Sequence, residues 1–249
     1  MISLLETFGA LIILTVQTAR ECIRPPFEFS LIIEQLAKGG VDSWSITVLT
    51  SFFTGLVIAS QFSIGLEPFG ASMYTGSLVS LGIVRELGPV LTALLVGGRV
   101  GAGFTAELGT MAVTEQIDAI RCLGASPVRK LVLPRVIAMV FIMPLLTTLA
   151  DIVGCFGGAL ISIFEVGVTP SYAVNQLISS IDYTDVMHGL IKSAFFGYFI
   201  AIIACWVGMN ARGGAESVGK STTNTVVYVS VTVLVVDFVL TRFLMTVYG

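Results

Sequence analysis

Five long apolar runs dominate the chain. The first, residues 44–66, reads WSITVLTSFFTGLVIASQFSIGL and carries no charge. The others are residues 72–98, broken by Arg85 and Glu86; 131–163, with Pro134 and Arg135 at its start and Pro144 and Asp151 inside; 186–209, with Lys192; and 224–248, with Asp237 and Arg242. Each is long enough to cross a bilayer as a helix, which takes about 20 residues. Barrel strands would be about ten residues with alternating polarity, which these uniform runs exclude. The pattern predicts an all-α integral membrane protein.

Residues 2–19 form a weaker run that either spans or lies flat in the interface, anchored by Arg20 and Arg24. Pro25-Pro26 is expected to end it. Glu6 stands where a cleaved signal would be positive, so no leader is read here. The external connection 164–185 is expected to hold a short helix from Ser171 to Ser179.

Composition agrees with the pattern. Charged residues make up 12% of the 249, against about 25% in soluble domains. A net charge of −3 gives no basic surface for nucleic acid. Cys22, Cys122, Cys155 and Cys205 are far apart, so neither a disulfide framework nor a metal site is read from them. Positive charge is one-sided. Arg20, Arg24 and Lys38 precede the first span; Arg99, Arg121, Arg129, Lys130 and Arg135 lie between the second and third; Arg212 and Lys220 lie between the fourth and fifth. The opposite connections, 67–71 and 164–185, have Glu67, Glu165, Asp182 and Asp185 but no Lys or Arg. The start of the first span is therefore expected in the cytoplasm and the C-terminus outside.

The cytoplasmic connection 99–130 mixes apolar and polar residues at helical spacing, and Gly124 and Pro127 follow as stop signals. It reads as an amphipathic helix, either a plain connector or a docking element for a cytoplasmic partner. Residues 214–221, GAESVGKS, match the phosphate-binding pattern G-x-x-x-x-G-K-[ST], and VLVVD at 233–237 imitates the strand that holds magnesium. Such a loop must follow a strand and open a helix in an α/β domain. Here it lies between two spans, so it reads as a Gly-rich turn in which Ser221, Thr222 and Thr223 cap the next helix.

Charges inside spans cost at least about 2.5–3.5 kcal/mol on insertion scales and face protein. Arg85 and Glu86 are adjacent, so they point about 100° apart on a helix and each needs a separate partner. Pro89 is expected to kink that helix and free carbonyls near the charges. The pair is either a structural ion network or the charged wall of a cavity for a substrate with a polar head. Lys192 and Arg242 lie nearer the outer ends, where they either snorkel to the interface or face the protein interior. His188 reads as interfacial. Gly97 with Gly101, and Gly154 with Gly158, have the spacing that permits close helix contact, though the first cluster also suits a sharp turn at the membrane exit. No catalytic constellation and no cofactor site is present in the pattern.

The stretch from Leu81 to Pro134 resembles the MlaE permease family, the membrane subunits of bacterial ABC transporters that work with MCE-domain lipid-binding proteins. The residues that carry the likeness are RELGP, the GR-x-G-x-x-x-TAE-x-G run, T-E-Q-x-x-A, and then LGASPVRKLVLPR. GKSTTNTVVYVS followed by LVVDFVLT resembles the start of the family's last span. The likeness covers about 40–249. It implies a homodimer in the bacterial inner membrane, a separate cytoplasmic ABC ATPase, a periplasmic MCE-domain partner, and phospholipid as substrate, in a system of lipid asymmetry. It implies an N-terminal interfacial helix and connection at 1–40, and a permease domain at 41–249 with a coupling helix at 103–123. On that helix Glu107, Thr110, Met111, Thr114, Glu115 and Asp118 would meet the ATPase. Arg85, Glu86 and Leu87 would belong to the lipid cavity, with Ile58, Phe62, Leu66 and Phe69 as its apolar wall and Lys192 assisting Arg85 at the phosphate. ATP would be hydrolysed on the partner, so no enzyme activity is expected here. The alternatives are a proton-coupled secondary transporter of an amphipathic substrate, relaying protons through Glu86 and Asp237, and a scaffold for the MCE protein.

Overall fold

A computed structural model describes residues 2–23 and 29–248. Arg24 and the Pro25-Pro26 stop lie outside the described residues. The helices are α1 (Ile2–Cys22), α2 (Phe29–Leu36, continued by a π turn over Ala37–Val41), α3 (Trp44–Leu66), α4 (Ser72–Val113), α5 (Gln116–Cys122), α6 (Val128–Phe164), α7 (Pro170–Ser179), α8 (Tyr183–Met209) and α9 (Ala215–Tyr248). Among the described residues there is no strand. Five helical stretches are long and apolar enough to cross a membrane: Phe29–Phe69, Ser72–Val113, Val128–Phe164, Tyr183–Met209 and Ala215–Thr246. The protein is an all-α, multi-pass membrane protein.

Two compact units are present. One comprises Met1–Asp42, Val96–Ile142 and Phe195–Val236. Its core is a ladder of apolar positions on α4 (Val96, Val100, Phe104, Leu108) with Met139, Phe196, Ile200 and Val229. A Cβ added at Gly97 would lie 2.5 Å from Val229, and one at Gly101 would lie 3.3 Å from Ile200. Both glycines thus serve close packing inside a continuous helix, and the turn expected at the membrane exit does not exist. A buried polar knot ties three helices: Thr105 Oγ1 lies 2.8 Å from Thr225 Oγ1 and donates to the Ala204 carbonyl at 3.1 Å. Such satisfied hydroxyls are the form in which polar groups survive in a dry interior. Tyr198 donates to Thr15 of α1 at 2.7 Å.

The other unit comprises Ser43–Leu95, Met143–Ala194 and Asp237–Gly249. Here α3 and α6 touch backbone to backbone. A Cβ at Gly55 would collide with the Gly154 carbonyl, and one at Gly157 would lie 2.6 Å from the Phe52 carbonyl. Without a hydrophobic force between helices in lipid, such small-residue contacts drive association. The expected helix at Ser171–Ser179 is present one residue longer, with Pro170 at its first position, and Gln176 donates to the Met73 carbonyl at 2.7 Å.

Two further sequence expectations fail. The segment 103–123 is not a single helix. Its first half is the tail of α4, which runs without a break from Ser72 to Val113. The helix stops at Thr114, whose hydroxyl turns back onto the Thr110 carbonyl at 2.8 Å, and Glu115 takes the left-handed conformation at φ 59° before α5 begins. In the second case, Ser221, Thr222 and Thr223 do not cap a helix. Gly213 (φ 105°) and Gly214 (φ 87°) make the turn, α9 starts at Ala215, and Thr222 and Thr223 bond back to the Gly219 carbonyl inside it. The nucleotide-like string is therefore helix from its second residue, with no loop to cradle a phosphate.

Candidate functional site

Of the charges inside the spans, Arg85, Glu86, Lys192 and Asp237 gather, with Asp185, across α4, α8 and α9. Arg85 donates through Nε to Asp185 Oδ1 at 2.6 Å, and its Nη2 lies 2.5 Å from the same oxygen. Glu86, pointing another way, accepts from Lys192 Nζ at 2.7 Å, while Asp237 Oδ1 lies 3.2 Å from that ammonium. Thr241, one turn beyond Asp237, reaches both Glu86 oxygens at 3.3 and 3.4 Å. The Asp182 backbone N–H donates to Asp185 Oδ2 at 3.0 Å and fixes that carboxylate at the head of α8.

Local sequence explains how these groups meet. Residues Ile83–Leu87 form a π turn, which gives that stretch a wider backbone than the flanking helix. Pro89 follows. It has no N–H to offer the Arg85 carbonyl four residues back, and Lys192 Nζ donates to that carbonyl at 3.2 Å. On α8, Gly189 sits one turn from both Asp185 and Lys192. A Cβ there would lie 2.5 Å from the Val84 carbonyl. Its absence lets α8 approach α4 closely enough for both ion pairs.

Lys192 is 2% exposed, so it does not snorkel. Its ammonium donates to the Glu86 carboxylate and the Arg85 carbonyl and pairs with Asp237. Arg85 is different, at 44% exposed for its side chain, and Glu86 is exposed at 38%. Both line a cavity of about 120 Å³ together with Thr184, His188, Lys192, Thr241, Leu244 and Met245. Counting Arg85 and Lys192 against Glu86, Asp185 and Asp237, the group carries one more negative than positive charge when all are ionised.

The remaining cavity residues are placed apart from this chamber. Leu87 and Ile58 pack on the cluster of Ala59, Val79 and Ile83. Phe62 is 38% exposed and Phe69 81% exposed, and neither they nor Leu66 line the chamber. His188, read as interfacial, is a chamber wall. Asp185, Thr241 and Gly189 are the members that sequence reasoning missed.

Near the end of α4, Glu107 accepts from Arg135 Nη2 at 2.6 Å. Arg135 is 4% exposed, lies 5.5 Å from the Phe104 ring and donates to the Leu131 carbonyl at 2.7 Å. Thr110, Thr114, Glu115 and Asp118 are exposed and Met111 is half-buried; Asp118 pairs with Arg121 at 2.7 Å.

A sequence profile described as permease MlaE matches residues 32–243, most of the chain. The chain belongs to the MlaE permease family. A protein of Rickettsia bellii called a probable ABC transporter permease is 38% identical over 241 residues, covering 97% of this chain and 93% of its own length. One from Synechocystis with a similar name is 41% identical over 208 residues, covering 84% and 79%. The Haemophilus influenzae protein named intermembrane phospholipid transport system permease protein MlaE is 36% identical over 214 residues, covering 86% and 82%. An MlaE permease is a membrane subunit of transport, not itself an enzyme. The family match takes in Arg85, Glu86, Lys192 and Thr241 of the chamber and the segment around Glu115.

Proposed function

We propose that this chain is the inner-membrane permease of an ABC transporter that moves phospholipid between that membrane and a periplasmic MCE system, driven by a separate ATPase. The observation that carries this reading is the chamber of Arg85 and Glu86 inside the spans of a chain 36% identical to a protein named for intermembrane phospholipid transport. Two copies would assemble, with the start of the first span in the cytoplasm and the C-terminus in the periplasm. The permease domain takes in 41–249, and residues 1–40 form the interfacial element before it.

In this mechanism Arg85 meets the lipid phosphate, because it alone of the two chamber cations has an exposed face. Glu86 flanks it. Leu87, Ile58, Phe62, Leu66 and Phe69 form apolar wall for acyl chains once two copies face each other. The segment from Glu107 to Asp118 docks the ATPase, with Thr110, Thr114, Glu115 and Asp118 presented outward and Met111 beside them. The break at Glu115 supports this role, since it turns the short helix α5 away from the line of the spanning helix. Glu107 contributes from behind, by holding Arg135.

Co-purification tests the reading. The chain expressed with its native neighbours is expected to come out with an ABC ATPase subunit and bound phospholipid. Lipid transfer that persists when ATP hydrolysis is blocked and stops when the proton gradient is collapsed would replace it with the proton-coupled alternative.

A further inference from the structure

The α8 wall of the chamber is a ladder. Thr184, His188 and Lys192 follow one helical turn apart and share one face. Thr184 is exposed, His188 half-buried and Lys192 buried. His188 therefore stands between the open end of the chamber and the ion pairs at its buried end. Charged groups face it from two elements. Arg85 and Glu86 come from α4; Lys192 and Asp185 come from α8, the latter taken up by Arg85. Among the described residues, α9 lines the chamber with Thr241, Leu244 and Met245, none of them charged, and its Asp237 reaches the group through Lys192. His188 is the sole histidine of the chain.

We propose, resting on the phospholipid-permease reading, that His188 is a second ligand for the lipid phosphate and takes up a proton as that phosphate binds. With a neutral His188 the chamber group already carries one negative charge in excess. A phosphodiester adds another, and like charges in a partly desolvated space repel strongly. A proton on His188 brings the group to balance before the lipid enters. Proton and phosphate therefore each favour the binding of the other, by the same factor. Histidine is the side chain whose charge ordinarily changes between about pH 5 and 8. Its protonated ring has two N–H donors, so one nitrogen can keep a protein partner while the other donates to a phosphate oxygen. Arg85 is the fixed cation of the pair and His188 the adjustable one. The arrangement discriminates by charge: a lipid with the same tails and no phosphate gains nothing from the proton.

The test measures equilibrium binding of dioctanoyl phosphatidylglycerol to the purified full chain between about pH 5 and 8, the range of histidine. The phosphate of this probe stays singly charged throughout. Dioctanoylglycerol serves as the probe without phosphate. Affinity for the phosphatidylglycerol is expected to rise as the pH falls, by up to about tenfold per pH unit, the limit for uptake of one proton. Affinity for dioctanoylglycerol should stay flat. His188→Gln, uncharged at every pH, should hold the phosphatidylglycerol affinity at its weak, high-pH level. His188→Arg should hold it at the strong level throughout; if that variant does not fold, the Gln variant and the two probes decide. A slope that survives in His188→Gln would overturn the proposal, as would an equal slope for dioctanoylglycerol. Arg85→Ala separates the two readings. A flat profile in the parent, with binding lost in Arg85→Ala, ends the proton coupling and leaves the head-group site standing. Phosphatidylglycerol bound no tighter than dioctanoylglycerol at any pH, and indifferent to Arg85→Ala, removes the head-group site and the role of His188 with it.

Discussion

The ammonium of Lys192 lies 2.7 Å from the Glu86 carboxylate, although 106 residues separate them in sequence. With Asp237 at 3.2 Å, one buried cation answers two acids. Removing one partner of a buried pair strands the others, at about 3–5 kcal/mol, and less here because Glu86 is partly exposed. Lys192→Met is expected to lower the Tm of the purified protein markedly. Lys192→Met combined with Glu86→Gln should recover part of that loss. A single variant that melts like the parent would show the pairing to be worth little.

Arg85 separates binding from stability. Asp185 is 2% exposed and depends on Arg85 for its counter-charge. Arg85→Lys keeps the charge but loses the forked contact, so folding is expected to survive with lipid transfer reduced. Arg85→Ala should reduce transfer further. Full transfer by Arg85→Ala at normal protein level would end the head-group role assigned to it.

Glu107 makes a test of what a coupling residue is. If it only touched the ATPase, Glu107→Ala would change ATPase stimulation and leave the melting curve alone. The 2.6 Å pair with the buried Arg135 predicts otherwise. Glu107→Ala should destabilise by about 2–4 kcal/mol, because the buried Arg135 loses its partner, and Arg135→Ala should destabilise through its lost contact with Phe104, both read by denaturation of the purified chain.

Glycine positions give opposite signs. Gly55→Ala drives a methyl group into the Gly154 carbonyl and is expected to cost about 1–3 kcal/mol or prevent folding. Gly103 has nothing within 4 Å of a would-be Cβ and lies inside a helix, so Gly103→Ala should stabilise by about 0.5–1 kcal/mol. Thermal melts of the two variants decide both.

Glu115 is a non-glycine residue at φ 59°, a conformation that costs an L-residue roughly 1–2 kcal/mol. Glu115→Gly should hold stability or raise it slightly. Glu115→Val should lower it and, by disturbing the start of α5, weaken ATPase co-purification.

The spans were legible where the sequence is uniform. Residues 44–66 carry no charge and end at the residues the pattern marks. The second span was cut short because Arg99 and four glycines imitate an exit. Of these, Gly97 packs against Val229 and Ile200 and Gly101 against Ile200, contacts that no local pattern contains. The charges at 85 and 86 announced that they needed partners. Which partners could not be read, because Asp185 looked like one more external acid and Lys192 like a residue near an edge. The close passage at Gly189 that unites them is a property of two distant segments. The rejected nucleotide motif was legible from its context, and the helix beginning at Ala215 supplies the physical reason.

Pro89 contributes to the chamber something it lacks. By withholding the amide four residues on from the Arg85 carbonyl, it opens main chain to Lys192 as a ligand. Alanine scanning of side chains is blind to such a ligand, since every substitution at 85 keeps that oxygen. The one change that reaches it is at 89, where Pro89→Ala would offer the oxygen an amide of its own. A residue that never touches the ammonium would then alter how that ammonium is solvated.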